Sequence, residues 1–441
     1  MTYLHNRYII IESHGQFVRL IFSEAQKCVK NYMEVIPMKI KKILALVLSL
    51  AMVFSFAACT DTNTDTKEDE SVGSNASTEG TFAKEGTIKI GGIGPLTGDA
   101  AQYGMAVKLG AELAVAEINA AGGINGYKVE FQMEDDVNDA EKAVTAYNTL
   151  KDWGMQMLMG TVTSTPCAAV SVETEADNML LITPSGSATD CIQPDTAFRV
   201  CFSDPAQGTV AADYIKNNNL ATKVAVIFNS SDSYSTGIKD TFVAQAAKNN
   251  IEVVAQEAFT NDSATDFSAQ VTNVKAAGAE LVFLPIYYTP ASLILKQAND
   301  MGYNPIYLGS DGMDGILGME NIDTALVEGL MYLTPFMETA TDDVTVNFVA
   351  KFKAANPDQI QYMNQFCADA YDAIYAIKTA AEKADIAADM EVSAIGDAMK
   401  VAMTEITLDG VTGANITWDA AGEPTKTPKV VKIVSGTVAE A

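Results

Sequence analysis

The chain has 441 residues, with 56 acidic against 29 basic side chains and a formal net charge of −27. So acidic a protein is repelled by nucleic acid and by anionic lipid surfaces, which sets both aside as partners. Its length exceeds what a single hydrophobic core usually organises and points to more than one domain.

From Met38 the sequence reads MKIKKILALVLSLAMVFSFAAC. Three lysines (Lys39, Lys41, Lys42), an apolar run over 43–56 and the small residues Ala57-Ala58 give the tripartite layout of a secretory signal. The run is shorter than the roughly 20 residues that span a bilayer as a helix. FAAC resembles a bacterial lipobox, with Phe56 where Leu is usual, so Cys59 is expected to carry lipid as the first residue of the exported chain. Residues 1–37 are read as a mis-called start extension, because Met33-Glu34-Val35 would encode a ribosome-binding sequence ahead of Met38 if Glu34 uses GAG. Residues 38–58 then form the signal peptide. Both histidines, His5 and His14, fall in the part set aside, and 22 basic against 53 acidic side chains remain, a net charge of −31. Four cysteines follow Cys59: Cys167, Cys191, Cys201 and Cys367. They form no CxxC pair, and without histidine a zinc site is not expected. One disulfide or buried free thiols are both open for an exported protein. Residues 59–85 are rich in Thr, Ser, Asp and Glu and too poor in large apolar residues to order themselves. Such a tether reaches about 25–30 Å on average.

From Thr87 short apolar runs alternate with helical patterns. Strands are predicted at 87–93, 127–134, 155–160, 179–184 and 197–202, then at 223–228, 251–259, 280–286 and 305–310. Helices are predicted between them at 101–121, 140–152, 207–218, 236–249, 267–277 and 290–301. Repeated βα units with short connections build mostly parallel sheets covered by helices on both faces, an α/β fold. The first five strands form one set and the next four another, with Asp204-Pro205 as the seam. After Pro335 the pattern turns helical at 344–354, 364–384 and 392–403, and it ends in short strands around Ile416 and 430–433. Two lobes joined by several chain crossings would make a hinged clamshell.

The stretch IGGIGPLTGDAAQYG raises a specific question, because Gly92, Gly94 and Gly98 follow an apolar strand and precede a helix. The spacing is one residue longer than a dinucleotide fingerprint, and Pro95 removes a backbone N–H where a pyrophosphate needs donors. The acidic run Glu134-Asp135-Asp136 comes about twice as far on as the ribose carboxylate should. A turn whose glycines let backbone lie close to a neighbour is the better reading, and no cofactor is expected. No GxSxG, P-loop or HExxH motif occurs, and the usual bases for nucleophilic catalysis are missing. Asp135-Asp136, Asp311, Asp314 and Asp342-Asp343 are the carboxylates a glycosidase could use. In an acidic chain they read more simply as solvated surface, so the protein is not expected to be an enzyme.

What remains suits a small zwitterion. GTVTSTPC places Thr163, Ser164 and Thr165 at the start of a helix, where hydroxyls and free N–H groups cap the helix or meet an anion. TPSGSATD puts Ser185, Gly186 and Ser187 at the next strand's carboxyl end, where ligands of open α/β sheets sit. The loops of the second set, NSSDSYSTG, IYYTP and GSDGMDG, add Tyr234, Tyr287, Tyr288 and Asp311. A buried ammonium needs a paired charge, and Asp311 would supply it.

Together with AVAEINAAGGINGYKVEF, DDVNDAEKAV and YLGSDGM, these stretches make the chain resemble the branched-chain amino-acid (leucine/isoleucine/valine) solute-binding proteins of ABC importers, with their type I periplasmic-binding fold. The resemblance implies lobe 1 at 86–205 plus 335–413 and lobe 2 at 206–334 plus 414–441. It implies that Ser164 and Ser187 bind the α-carboxylate, that the Gly186 carbonyl and Asp311 meet the ammonium, and that Tyr103, Thr163, Tyr234 and Tyr287 or Tyr288 line the cleft. The glycine-rich loop would shape the cleft beside the ligand. Asp311 stands where leucine-binding members carry Glu, Thr163 where they have Cys, and Ser187 where they have Thr. The implied partners are an amino acid, a membrane permease of the importer and, through the lipid, the outer face of the cell membrane, with the protein a monomer. A receptor for an amide, urea or aromatic acid acting through a signalling partner is the alternative. The anchor is directly testable: Cys59→Ala is expected to move the protein from the membrane fraction to the soluble one, and continued sedimentation with membranes would remove the lipoprotein reading.

Overall fold

The structure is a computed structural model that describes residues 81–441. The expectations for the start extension, signal peptide, Cys59 and most of the tether lie outside the described residues.

The first sheet is built from β1 (Thr87–Gly94), β2 (Lys128–Asp135), β3 (Met157–Gly160), β4 (Leu181–Thr183) and β5 (Ala197–Arg199). All are parallel, in the order β2-β1-β3-β4-β5. Its strands alternate in the chain with α1 (Ala101–Ala120), α2 (Ala140–Trp153) and α3 (Ser164–Asp177). The second sheet takes β6 (Lys223–Asn229), β7 (Glu252–Phe259), β8 (Leu281–Leu284), β9 (Ile306–Gly309) and β10 (Met331–Thr334), with α4 (Asp204–Asn217), α5 (Ser233–Lys248), α6 (Ser268–Ala276) and α7 (Tyr288–Asp300) between them. It repeats the same winding, β7-β6-β8-β9-β10. Antiparallel β11 (Lys429–Val434) and β12 (Thr437–Glu440) extend it. In both sheets the strand order reverses around the first strand, so each has a switch point where loops part and leave a crevice.

The local sequence explains these elements. β3 and β8 are wholly buried apolar runs, as strands covered on both faces must be. Asp139 caps α2 by accepting from the Lys142 N–H, and Gly154 closes that helix at φ +92°. The glycines after β1 are there for close approach: a Cβ on Gly92 would lie 2.7 Å from the Phe131 ring, and one on Gly94 2.4 Å from Val162. Asp135, at the end of β2, accepts from Leu96 N (2.9 Å) and Thr97 Oγ1 (2.6 Å). The acidic residue at that strand end therefore fastens the glycine loop itself.

After β10 the chain forms α8 (Asp343–Ala355), α9 (Gln365–Lys383) and α10 (Val392–Met403). α9 packs along α1 and also meets β3 and β4, and α10 meets β3, so these late helices cover the first sheet before the chain returns to the second as β11. The chain thus passes between the sheets after β5, after β10 and again before β11. One apolar core runs through both, from Ile90 and Val107 to Val282, Ile294 and Ile377.

Some elements differ from expectation. β10 and β12 were not predicted; Ile416 makes only an isolated bridge with Leu408; and α4 begins at Asp204. Asp204-Pro205 is thus the opening turn of a helix, a favoured place for proline. The four cysteines are buried free thiols. Among the described residues no helix is long and apolar enough to cross a membrane.

At the α1–α9 crossing a Cβ on Gly110 would lie 2.0 Å from the Cys367 carbonyl oxygen. Gly110→Val is therefore expected to cost about 2–3 kcal/mol by forcing the helices apart, read as a lower urea midpoint. An unchanged midpoint would mean that the two helices do not pack this closely.

Candidate functional site

The loops at the carboxyl ends of the strands meet between the two sheets. On the first, the chain leaves β3 through Gly160, whose φ of +126° and backbone approach to Ile93 exclude a side chain, and enters α3 at Ser164. Ser164 Oγ accepts from Ser187 N and Ala188 N, both at 3.2 Å, and so joins this helix start to the loop after β4. Thr183 Oγ1 donates to the Thr161 carbonyl (2.6 Å) and accepts from Gly186 N (2.7 Å). Arg199 supports the loop from below: its guanidinium, fully buried, donates to the carbonyls of Gly186 (3.1 Å), Ser187 and Ala188 (3.1 Å).

On the second sheet, Asp232 caps α5 by accepting from Tyr234 N (3.2 Å) and sets that tyrosine over the end of β9. The Tyr234 hydroxyl donates to Asp311 Oδ1 (2.6 Å), accepts from Gly312 N (2.8 Å) and lies 2.6 Å from Ser310 Oγ. Gln207 Oε1, in the first turn of α4, accepts from Asp311 N at 3.0 Å. Burial pushes the Asp311 carboxyl up to about 7, against the lowering by Tyr234 and Gln207, and Asp369 adds to the rise.

Polar bonds link the two faces. Tyr103 OH, from α1, donates to the Gly312 carbonyl (2.5 Å) and accepts from Tyr288 N (3.2 Å). Tyr288 OH accepts from Gln102 N (3.1 Å), and Thr165 Oγ1 donates to Asp232 Oδ1 (3.1 Å). The Tyr103 ring packs edge-on to Tyr287 and Tyr288, at 5.3 and 4.8 Å between centroids, and tilted on Phe366 at 4.4 Å. The aromatic box is shut across the crevice.

Six of the predicted residues, Tyr103, Thr163, Ser164, Tyr234, Tyr287 and Asp311, line one narrow, nearly closed cavity of about 10 Å³, room for no more than a water molecule. Ser185, from the loop the sequence placed at a ligand-binding strand end, lines it too, as do Val162, Gly312 and Phe366, which were not predicted as ligand residues. Gly186, Ser187 and Tyr288 do not line it in this closed arrangement: the Gly186 carbonyl accepts from Arg199, and the Ser187 Oγ is buried without a hydrogen bond, as is Thr163 Oγ1. Phe366 arrives from the first turn of α9, a distant part of the chain whose only signal was the apolar pattern of its helix. A larger hollow lies between residues 314–318, 336–338, 361–364 and 436–438, and none of the predicted residues lines it.

The carboxylates read as surface are in part buried. Asp136 is 0 % exposed, Asp311 3 % and Asp314 7 %. Asp314 accepts from Gln365 N (3.0 Å) and Tyr332 OH (3.3 Å), and so fastens the start of α9 to β10. This is a structural role. Among the described residues no group of acidic and sulfur side chains is arranged to hold a metal ion.

Two wound sheets, three chain passages and a polar cavity at the facing strand ends define a two-lobed small-molecule binding protein. The chain belongs to the periplasmic binding protein family, whose sequence profile matches residues 87–437. It is 35 % identical over 309 residues to a Leu/Ile/Val-binding protein homolog of Brucella melitensis, covering 67 % of this chain and 79 % of that one. It is 32 % identical over 315 residues to the Leu/Ile/Val-binding protein BraC3 of Rhizobium johnstonii, covering 71 % and 83 %. The branched-chain amino acid transporter substrate binding protein LivJ of Streptococcus pneumoniae, solved in complex with isoleucine, superposes with a TM-score of 0.72 at 27 % identity, over 80 % of this chain and 97 % of that one. The fold is the type I periplasmic-binding fold.

Burial has a consequence for stability. Asp311 is raised to about 7, Asp314 to about 6 and Asp369 to about 6, each by desolvation first. The folded state therefore holds protons that the unfolded chain has lost above about pH 4, and the stability these groups contribute is lost as pH rises to about 7. The ligand-free protein is expected to resist urea better at about pH 5 than at about pH 7.5, and Asp311→Asn to shrink the difference. Equal midpoints at both pH values would mean that these carboxyls are ionised when folded.

Proposed function

We propose that the protein captures an amino acid, branched-chain or otherwise hydrophobic, between its lobes outside the cytoplasm and hands it to the membrane permease of an ABC importer. The observation that carries this is the meeting of hydroxyls from one sheet with tyrosines and a carboxylate from the other at a single cavity. Thr163 and Ser164 stand at the start of α3, where the helix dipole favours a carboxylate. Ser187 joins them as the crevice opens for ligand. Asp311 answers the ammonium, and the second lone pair of the Gly186 carbonyl, beyond the bond from Arg199, is free to accept from it. Tyr103, Tyr234, Tyr287 and Tyr288 supply the walls. The names of the relatives agree with an amino-acid ligand.

The lobes in this reading are 86–205 with 335–413, and 206–334 with 414–441. Ligand binds one lobe, closure recruits the other, and exclusion of water strengthens each polar contact. The protein works as a monomer, held to the membrane by lipid on Cys59 after removal of its signal peptide, and carries out no chemistry on its ligand.

Calorimetry on the full chain, unfolded and refolded to shed carried ligand, tests the reading against the twenty amino acids and a few amides and aromatic acids. Binding of leucine, isoleucine or valine is expected. Asp311→Ala and Ser187→Ala are each expected to weaken it at least about tenfold, because each strips a partner from a buried charge. Binding of an amide or aromatic acid alone would move the protein to the sensing alternative, and unchanged affinity in both variants would place the site elsewhere.

A further inference from the structure

Two of the cysteines face one another beneath the loop that carries Gly186 and Ser187. Cys167 stands one turn inside α3, and Cys191 lies in the short turn Thr189–Ile192 that follows the loop. Both are wholly buried, in the core packed between α2, α3 and the first sheet. Cys167 Sγ lies 4.0 Å from the Cys191 carbonyl oxygen, and Cys191 Sγ lies 3.5 Å from the carbonyl oxygen of Ser164. The two thiols also hydrogen-bond one another. Burial acts to raise each of them, and their mutual bond raises Cys191 further while it helps to bring Cys167 below the usual thiol value. Neighbouring bonds hold the pair in register. Ser164, Cys167 and Ser171 lie along one face of α3. Ser164 Oγ accepts from Ser187 N and Ala188 N, and Ser171 Oγ donates to the Asp190 carbonyl at 3.2 Å. Cys167 sits between those two fastenings and meets Cys191.

We propose that Cys167 and Cys191 are joined by a disulfide as the exported chain folds, which staples the start of α3 to the turn after the loop and fixes Ser164 and Ser187 relative to one another. Two S–H bonds break and one S–S bond forms. The two electrons and two protons pass to a disulfide oxidant, a small molecule or an oxidoreductase, which leaves as two thiols. One cysteine sulfur attacks the oxidant and expels the first thiol, and the other then displaces the second. Such oxidants act outside the cytoplasm, where periplasmic binding proteins work. Complete burial places the reaction before the turn 189–192 has packed, and afterwards it shields the bond from reductants. The link rests on the geometry of the pair alone, whereas its effect on ligand rests on amino-acid capture by the adjoining cavity.

The other two described cysteines are placed differently. Cys367, in α9, donates to the Asn364 carbonyl at 3.0 Å, and Cys201 follows β5. Among the described residues neither of them hydrogen-bonds another thiol. Cys167 and Cys191 are 24 residues apart. Closing a loop of that size restricts the unfolded chain and so favours the folded one. The bond also pins a sulfur under the loop itself, because a Cβ on Gly186 would stand only 3.0 Å from Cys167 Sγ. Arg199 holds the same loop by its carbonyls. With the guanidinium on the loop and the disulfide across its flanks, Ser164 and Ser187 keep their spacing when the crevice opens. A site held in this way loses less freedom when ligand arrives.

The test is a thiol map of the full-length protein, reduced and unfolded, then refolded in a mixture of reduced and oxidised glutathione. The product is unfolded in iodoacetamide and cut with trypsin. Residues 152–199 contain no lysine and no arginine before Arg199, so a single fragment carries both cysteines. That fragment is expected to escape alkylation, to weigh two hydrogens less than its dithiol, and to take up two alkyl groups only after reduction. The fragments holding Cys201 and Cys367 are expected to be alkylated at once. Alkylation of Cys167 and Cys191 before reduction, or a bond from either to a different cysteine, would overturn the disulfide. A second arm reads its effect by calorimetry with L-leucine, or with whichever of the twenty amino acids binds tightest. The oxidised protein is expected to bind about threefold tighter than the reduced one, and Cys191→Ala to bind alike with and without oxidised glutathione. Equal affinity of the two wild-type forms would overturn the effect on ligand while the map upholds the bond. No binding of any amino acid would overturn the capture reading and that effect with it, and the map would still decide the disulfide.

Discussion

The buried guanidinium of Arg199 is the interaction on which the loop after β4, beside the cavity, depends. It gathers the carbonyls of three successive residues, 186–188, which no backbone ladder satisfies. A planar fork of donors is suited to this in a way an ammonium is not. Its own strand is held in turn, since Trp418 Nε1 donates to the Arg199 carbonyl at 2.7 Å and Glu423 supplies the countercharge. Trp418 and Glu423 lie on the passage by which the chain returns to the second sheet. The loop that presents Gly186 and Ser187 is therefore anchored to one of the three segments that pass between the sheets.

The polar bonds across the crevice differ in kind from the packing behind it. They run from Tyr103 to Gly312 and Tyr288, from Gln102 to Tyr288 and Gly318, from Thr289 to Asp99 and from Thr165 to Asp232. Each contributes only about 0.5–1.5 kcal/mol net. Behind them α1 and α9 interlock at Gly110 and the core strands are wholly buried. In the proposed function it is the crossing bonds that part when the lobes open. A ligand that bonds both faces then adds to the closed form what the crossing bonds alone do not supply.

The winding of both sheets was legible because strands such as MQMLMG and ELVFLPI announce themselves as apolar runs between helical patterns. The site was legible to the extent that ligand loops follow strands in such folds: Thr163, Tyr234 and Asp311 stand in the stretches that follow predicted strands. Phe366 could not be found that way. Phe366 reaches the cavity only because α9 lies along α1, a contact between residues far apart in sequence. β10 was missed because a strand of four buried residues shows no period and ends at a proline, which reads as a connection. The burial of Asp204 was hidden for a different reason. An acid followed by proline is an ordinary helix opening, and nothing local reveals that its carboxylate faces inward.

The placing of acids is where composition and site meet. Among the described residues most carboxylates are solvated and govern only solubility and repulsion from anionic surfaces. The buried ones lie under different physics. Asp311, Asp314 and Asp369 are buried far enough for desolvation to outweigh their hydrogen bonds, and Asp204 lacks such bonds altogether. A carboxyl kept neutral in this way holds the closed fold without the cost of an unpaired buried charge. It becomes a strong partner only when a cation enters beside it, and the interaction is then strengthened by the same exclusion of water that had suppressed it. The Asp311 side chain is held by the Tyr234 hydroxyl, while Gln207 holds its backbone N–H. In the proposed function, burial, which looks like a penalty on each acid alone, favours a ligand that brings its own positive charge.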